Sequence, residues 1–346
     1  MINNKFKENE FKIDDLNLLR TFAILLVVLR HCFAPFMGIW PISVFYRYNL
    51  FADILGKYVS TISMPLFVFI SGLLFSYLRN NLKKYPTYRI LITKKIARLL
   101  RPYVILAPIY ILIFTNFNTP TGFILNLWKG AGHLWFLLMI FTVFIIFYPL
   151  EKYFIKKPLL FFGIISLIFL LHPLVSILKI YPLAKCLQYL PFFYIGYFFH
   201  YKNVLVNKIL YGKFWVLFTL HLIIFITLLA ISEFMQSGVL KSLSITYINL
   251  PLSIVSVSMI YLLFTNFTFL NSIIPTSIIN NLNKNSYYIY IIHQPLLLLL
   301  FKLNLLFTWS PFLVISLAFS SVILTSNYIG NILMKFHFGR KLIGAR

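Results

Sequence analysis

An arginine and a histidine stand eleven residues apart in an apolar run that begins at Leu16: Arg20 and His31. Eleven residues make about three helical turns, so on a helix both side chains share one face, about 16 Å apart along the axis. Charged and titratable groups are costly in hydrocarbon and tend to be functional there. The histidine is the candidate for chemistry, because a neutral imidazole can accept a proton near neutral pH or attack a carbonyl. Arg30 projects about 100° away from His31 and can reach outward. A histidine that merely bonds a neighbouring helix, with Arg20 reaching the interface, would show the same spacing. Carboxylates offer no rival. The chain has 7 acids, Glu8, Glu10, Asp14, Asp15, Asp53, Glu151 and Glu233, all at the ends of apolar runs or between them. That placement argues against paired-carboxylate catalysis and against an acid-lined cation pathway.

Other residues could join the pair. Arg98 and Arg101 stand three apart, which on a helix gives them one face, and Lys94 and Lys95 precede them by a turn. Arginine forks bind phosphate bidentately, so this cluster could hold a polyanion, although a basic loop beside a membrane would carry the same charges. His133 and Trp135 open a later apolar run and could anchor the interface. Ser286, Tyr290 and His293, with Tyr287 beside them, form a polar stripe in an apolar helix, which should face other helices. Bonding between helices would account for that stripe equally. Pro295 should kink this helix next to His293. Ser71-Gly72 reads as a close-packing site. His172, His200, His221 and His337 match no pattern and read as structural or interfacial. Cys32 and Cys186 form neither a CxxC pair nor a metal spacing, and no metal is expected. Both cysteines fall toward the outer leaflet on the layout below, which leaves a disulfide open.

The elements that must position these residues are membrane helices. Of 346 residues, 60% are hydrophobic and 11% charged, with a mean hydropathy of +0.88. A soluble domain carries charge on roughly a quarter of its residues. Runs of about 20 apolar residues recur, each long enough to cross a bilayer. Ten are expected: Leu16–Gly38, Tyr58–Leu78, Tyr103–Phe117, His133–Leu150, Pro158–Ile177, Leu187–His200, Phe214–Ser232, Ile245–Phe264, Ser286–Leu306 and Pro311–Met334. The fifth and sixth are short or hold Pro and His, and could form a tilted or re-entrant pair. Of the 31 Lys and Arg residues, 22 fall in the N-terminal segment and the connections on its side, 7 fall in the opposite connections, and Arg20 and Arg30 lie within the first run. That bias places both termini in the cytoplasm with an even number of spans. The net charge of +24 follows from the same rule and from attraction to anionic lipid, so no nucleic acid is implied. Residues 1–12 are polar and the first run is broken by Arg20 and Arg30, unlike a cleavable signal peptide. The fold expected is an all-α polytopic bundle forming one domain over residues 1–346.

A resemblance adds to this. The stretch Leu16-Asn17-Leu18-Leu19-Arg20 through Leu29-Arg30-His31 resembles the first helix of acyltransferase family 3, bacterial ten-helix membrane acyltransferases in which an Arg, ten residues and a His recur. Many members have an acid three residues before the Arg. Here that position is Asn17, which keeps a hydrogen-bonding group and loses the charge, leaving Asp14 or Asp15 as the nearest acids. Further similarities follow in order: Met64-Pro65-Leu66-Phe67-Val68-Phe69-Ile70-Ser71-Gly72, Arg98-Leu99-Leu100-Arg101-Pro102, His133-Leu134-Trp135-Phe136-Leu137, and Ser286 through His293-Gln294-Pro295. The resemblance implies an O-acyltransferase of the bacterial inner membrane. It would move an acyl group, most simply acetyl, from acyl-coenzyme A to a hydroxyl of a surface or secreted polysaccharide or lipid-linked glycan. No cofactor would be tightly bound. It implies His31 as the catalytic residue, Arg20 as its partner toward the donor, Arg98 and Arg101 as donor-binding residues, and His133, Trp135, Tyr290 and His293 near the acceptor. Some relatives continue into a soluble extracytoplasmic domain. This chain stops at Arg346, so either a separate extracytoplasmic transferase or direct access of the acceptor is implied. A transporter of glycan intermediates, or a scaffold, would also need a polar path through such a bundle.

Overall fold

The computed structural model describes residues 13–40, 46–115, 117, 119–266, 275–303 and 309–342. The end of the expected ninth span at Leu306, and the basic residues Lys5, Lys7, Lys12 and Arg346, lie outside the described residues. Helices in order are α1 Ile13–Phe33, α2 Leu50–Ser76, α3 Tyr88–Lys95, α4 Arg101–Phe114, α5 Pro120–Lys129, α6 Trp135–Lys156, α7 Pro158–Leu170, α8 His172–Ile177, α9 Tyr181–Tyr201, α10 Asn203–Leu210, α11 Phe214–Phe234, α12 Val239–Asn266, α13 Thr276–Lys302, α14 Pro311–Leu333 and α15 His337–Leu342. Wider π-type turns, Tyr77–Asn81 and Ile96–Leu100, extend α2 and join α3 to α4. Among the described residues there is no strand. The chain is an all-α polytopic helical bundle.

Eight helical stretches among the described residues are long and apolar enough to cross a bilayer: Leu16–Phe33, Leu50–Asn81, Tyr88–Phe114, Gly132–Lys156, Pro158–Ile177, Phe214–Phe234, Val239–Thr265 and Pro311–Leu333. The remaining two expected spans coincide with α9 and α13, which do not meet the same apolarity test. In α13 the polar residues Asn285, Ser286 and His293 are fully buried. A polar side chain tolerated in a bundle is one that another helix satisfies. The expected fifth span is broken at Leu171 into α7 and α8. The sixth is a continuous helix, α9, seated against α2, α6 and α7.

Alternate connections gather at opposite ends of the bundle. One end, called here the basic end, is tied together by Arg79 to Glu151 at 2.9 Å, Arg101 to the Lys341 carbonyl at 3.3 Å, and His200 to Ser76 at 2.9 Å. The other is called the far end. The helix α1 packs between α2 and α13, and α2 also carries α9 on its flank. That last crossing is a backbone-to-backbone contact. A methyl added at Gly72 would overlap the Phe193 carbonyl, and one at Gly196 would overlap the Phe69 carbonyl. Small residues allow such approach, and close approach is what holds membrane helices together where apolar burial gives no advantage over lipid.

Prolines supply a second class of contact. Proline has no N–H, so the carbonyl four residues earlier loses its helical donor, which is costly in a bilayer unless replaced. At four prolines another element supplies the donor. Ser253 donates to the Thr61 carbonyl ahead of Pro65 at 2.9 Å, and Tyr88 to Ile145 ahead of Pro149 at 3.2 Å. Tyr287 donates to Arg98 ahead of Pro102 at 2.6 Å, and His133 Nε2 to Ile291 ahead of Pro295 at 3.0 Å. Helix α13 runs on through Pro295 to Lys302. Two of these contacts, at Pro102 and Pro295, fall in the candidate site.

Candidate active site

At the basic end, Arg20 of α1 meets the segment that joins α3 to α4. Arg20, Lys95 and Arg98 line one cavity of about 110 Å³ together with Tyr85 and Tyr287. Among the described residues no carboxylate lines it, and neither Arg20, Lys95 nor Arg98 has a salt-bridge partner. The Asp14 and Asp15 side chains lie outside the described residues. Asn17 accepts a hydrogen bond from Asn283 at 2.8 Å and so pins α1 to α13. Lys95 is held by aromatic faces, with Nζ 3.4 Å from the Phe144 ring centre and 5.3 Å from that of Tyr85. Cations stack on rings in this way when partly desolvated.

Arg98 and Arg101 do not share a face. The intervening Ile96–Leu100 turn is of the wide π type, which turns less per residue than an α-helix, so three positions carry Arg101 out of line. Both arginines are exposed, but Arg98 lines the cavity, whereas Arg101 does not and donates to the Lys341 carbonyl. Tyr85, which caps the cavity, is held by Arg79 and by Tyr148, whose hydroxyl lies 3.3 Å from the Tyr85 carbonyl.

Eleven residues along α1, at the far end, His31 meets two more histidines. Its ring centre lies 5.1 Å from that of His293, and the His293 and His133 centres are 5.0 Å apart. His133 reaches this point through a tight turn. Gly130, Ala131 and Gly132 all have positive φ, at 108°, 48° and 61°. A methyl at Gly132 would overlap the Tyr110 ring, so glycine is required there on both counts. The backbone N–H of His133 donates to Gln294 Oε1 at 3.0 Å, and its carbonyl accepts from Tyr290. Carbonyl oxygens only accept, which settles two ring tautomers. His133 donates through Nε2 to Ile291, and His293 donates through Nδ1 to the Tyr290 carbonyl at 2.7 Å. The opposite nitrogens, His133 Nδ1 and His293 Nε2, are therefore lone-pair bearers. Both are buried without a hydrogen-bond partner among the described residues, as is His31 Nδ1. Trp40 stacks on His31 at 5.7 Å and 20°. Among the described residues no three His, Cys, Asp or Glu side chains are grouped so as to hold a metal ion.

The two ends are divided by rings. Phe67 and Phe136, which line the basic-end cavity, pack edge-on at 5.4 Å, and both touch Tyr290, at 6.4 and 5.5 Å. Tyr290 in turn lies 5.5 Å from His133 and 6.0 Å from His293. An aromatic septum thus separates three cations from three histidines along the Arg20–His31 face of α1.

The structure brings His31, His133, Tyr290 and His293 together, and Arg20 with Arg98. Trp135 it places elsewhere, facing Tyr189 at 5.5 Å under Lys185. Of the residues not singled out by spacing, Trp40 and Gln294 touch the histidines, and Tyr85 completes the cavity. Gln294 had a signal, lying between His293 and Pro295; Trp40 and Tyr85 had none. His172, His200 and His221 bond to Phe169, Ser76 and Ser256 and serve packing. Cys32 and Cys186 are both free and buried.

A family model described as an acyltransferase domain matches residues 13–329. No curated protein and no solved structure matches the chain. The match runs from the first turn of α1 almost to the end of α14 and encloses both cavity and histidine cluster, and on it the chain belongs to acyltransferase family 3, the membrane acyltransferases.

Proposed function

We propose that the protein takes an acyl group, most simply acetyl, from acyl-coenzyme A at the basic end. It passes that group to a hydroxyl of a cell-surface or secreted polysaccharide, or of a lipid-linked glycan, at the far end. The observation that carries this reading is the division along α1: three cations with no carboxylate among them at Arg20, and imidazoles with free lone pairs at His31. Coenzyme A is strongly anionic, and a cation cluster with two arginines suits its phosphates. On this reading the basic end faces the cytoplasm of a bacterium and the septum of Phe67, Phe136 and Tyr290 is where the thioester passes.

His31 then accepts the proton of the acceptor hydroxyl. The oxygen attacks the thioester carbonyl, the carbon–sulfur bond breaks, and the departing thiolate takes up the proton to leave as coenzyme A. A positioned base of this kind contributes about 100-fold or more. If the imidazole carries the acyl group instead, the same exchange divides in two, and an acyl-protein adduct accumulates when acceptor is withheld. His293 packs on the ring of His31 and His133 on that of His293, and Tyr290 and Gln294 hold His133 in register. A separate extracytoplasmic protein completes the transfer if the glycan does not itself reach the bundle.

Mass spectrometry of surface glycan from wild-type, deletion and His31→Ala strains tests this. Loss of one acyl substituent in both mutants is expected. Unchanged acylation in both contradicts the reading. A transporter of glycan intermediates would show lost export in the deletion strain, with the acyl content of whatever is exported unchanged by His31→Ala.

A further inference from the structure

A second and larger cavity, of about 600 Å³, opens at the far end around Arg30. Arg30 projects about 100° around α1 from His31, so the cavity flanks the same turn of helix on its other side. Its walls come from α1, α2, α9, α11 and α12 and mix rings with polar groups: Tyr189 and Phe192 beside Gln188 and Asn249. A void facing only lipid tails has no use for such polar groups, each of which costs free energy there unless bonded.

Its charges are unbalanced. Asp53 is the one carboxylate among its lining residues, and it is already bound, to Lys57 Nζ at 2.7 Å and to the Tyr48 hydroxyl at 3.1 Å. Arg30 feels the charge of Asp53 but makes no salt bridge to it or to any other acid among the described residues. Its Nε donates to Ser60, whose own hydroxyl donates to the Gly56 carbonyl at 2.6 Å. The terminal nitrogens of the guanidinium make no hydrogen bond to the described residues. A fixed guanidinium fork whose outer donors meet no hydrogen-bond acceptor among the described residues, set in a partly buried cavity, is a receptor for a carboxylate or phosphate. Aromatic faces and amide groups around it suit a hydroxyl-rich ring.

We propose that this cavity binds the acceptor through an acidic group, a sugar bearing a carboxylate or phosphate whose anion sits on Arg30. The proposal rests on the acyl-transfer reading for the word acceptor, and on the cavity alone for the binding. It makes the substrate an acidic glycan unit rather than a neutral one.

The test uses the full-length protein in detergent micelles and calorimetric titration with three probes: a glucuronic-acid oligosaccharide, glucose 1-phosphate and neutral maltotriose. Wild type is expected to bind one of the acidic probes at least about tenfold more tightly than maltotriose, the scale of one charge-assisted hydrogen-bond pair. The two acidic arms distinguish carboxylate from phosphate. Adding phosphatidylglycerol separates a lipid headgroup from a sugar: full displacement of the acidic probes by that lipid overturns the sugar assignment. Arg30→Gln should lose about tenfold in affinity for the acidic probe and Arg30→Lys less, with acetyl-coenzyme A binding unchanged in both. Equal binding of neutral and acidic probes, no binding of any, or an Arg30→Gln protein that binds as wild type overturns the proposal. The wild-type comparison stands even if a variant does not fold. Acidic-probe binding without any consumption of acetyl-coenzyme A would overturn acyl transfer and leave the cavity assigned. Consumption without acidic-probe binding would overturn the cavity alone.

Discussion

His133 and His31 illustrate how residue type and residue role separate. The His133 ring spends its N–H on the Ile291 carbonyl that Pro295 leaves without a donor, so its first duty is to complete α13. His31 has no such duty through Nδ1, which is buried without a partner among the described residues. The same distinction applies to the arginines. Arg98 lines the cavity with Arg20, whereas Arg101 does not and bonds the Lys341 carbonyl. Arg98→Gln should therefore raise KM for acyl-coenzyme A by about tenfold with kcat little changed, the loss of one charge-assisted contact made equally in ground and transition states. Arg101→Gln should raise it much less. Steady-state kinetics on the purified protein decide this, and equal effects would contradict the assignment. The legible residues were those fixed by spacing along one helix: Arg20 with His31, and Tyr290 with His293. Arg101 misled because an α-helical three-residue spacing was applied to a π turn. Trp40 could not be read because its contact with His31 crosses a connection rather than following a helix.

The elements hold their positions by two devices suited to hydrocarbon. One is the glycine crossing of α2 and α9, where Gly72 and Gly196 each leave room for the other helix's carbonyl. Gly196→Ala must push the backbones apart, and an overpacked core commonly costs about 1–3 kcal/mol. Thermal unfolding in detergent should show a lowered midpoint, and an unchanged midpoint would mean that the helices do not meet there. The other device is the cross-helix donor opposite proline. Ser253→Ala leaves the Thr61 carbonyl unpaired ahead of Pro65 and should cost about 0.6–1.7 kcal/mol, the range for interhelical hydrogen bonds. A Ser253→Ala protein as stable as wild type would contradict that role. The apolar runs were readable because hydropathy alone marks them, and Ser71-Gly72 because small residues mark close approach. The extent of α2, from Leu50 rather than Tyr58, and of α13, from Thr276 rather than Ser286, was not, since the first turns of α13 are polar and Asp53 and Lys57 interrupt the apolar start of α2. The strength of α9 was hidden for the opposite reason: its Pro191, Lys185 and many tyrosines are polar or helix-breaking in sequence, yet its Leu190–Tyr197 stretch is buried throughout.

For the whole molecule the organising feature is polarity from end to end. The residues that could hold an anionic donor lie at the basic end, the histidines and the Arg30 cavity lie at the far end, and rings stand between. On the proposed reading, the surplus of Lys and Arg on one set of connections is what would put the basic end in the cytoplasm. Fusions of a periplasm-dependent phosphatase at Gly38 and at the C-terminus should be active and inactive respectively, and the reverse result would invert the proposed direction of transfer. The most direct measurement of the central claim is thiol release from acetyl-coenzyme A by the purified protein in lipid nanodiscs, supplied with the glycan fraction of its own cells. Wild type should release coenzyme A steadily. His31→Ala should fall by about 100-fold or more while still binding acetyl-coenzyme A at the Arg20–Arg98 end with wild-type affinity. A His31→Ala protein that binds donor and turns over at the wild-type rate would contradict the assignment of His31 as the residue that carries the reaction.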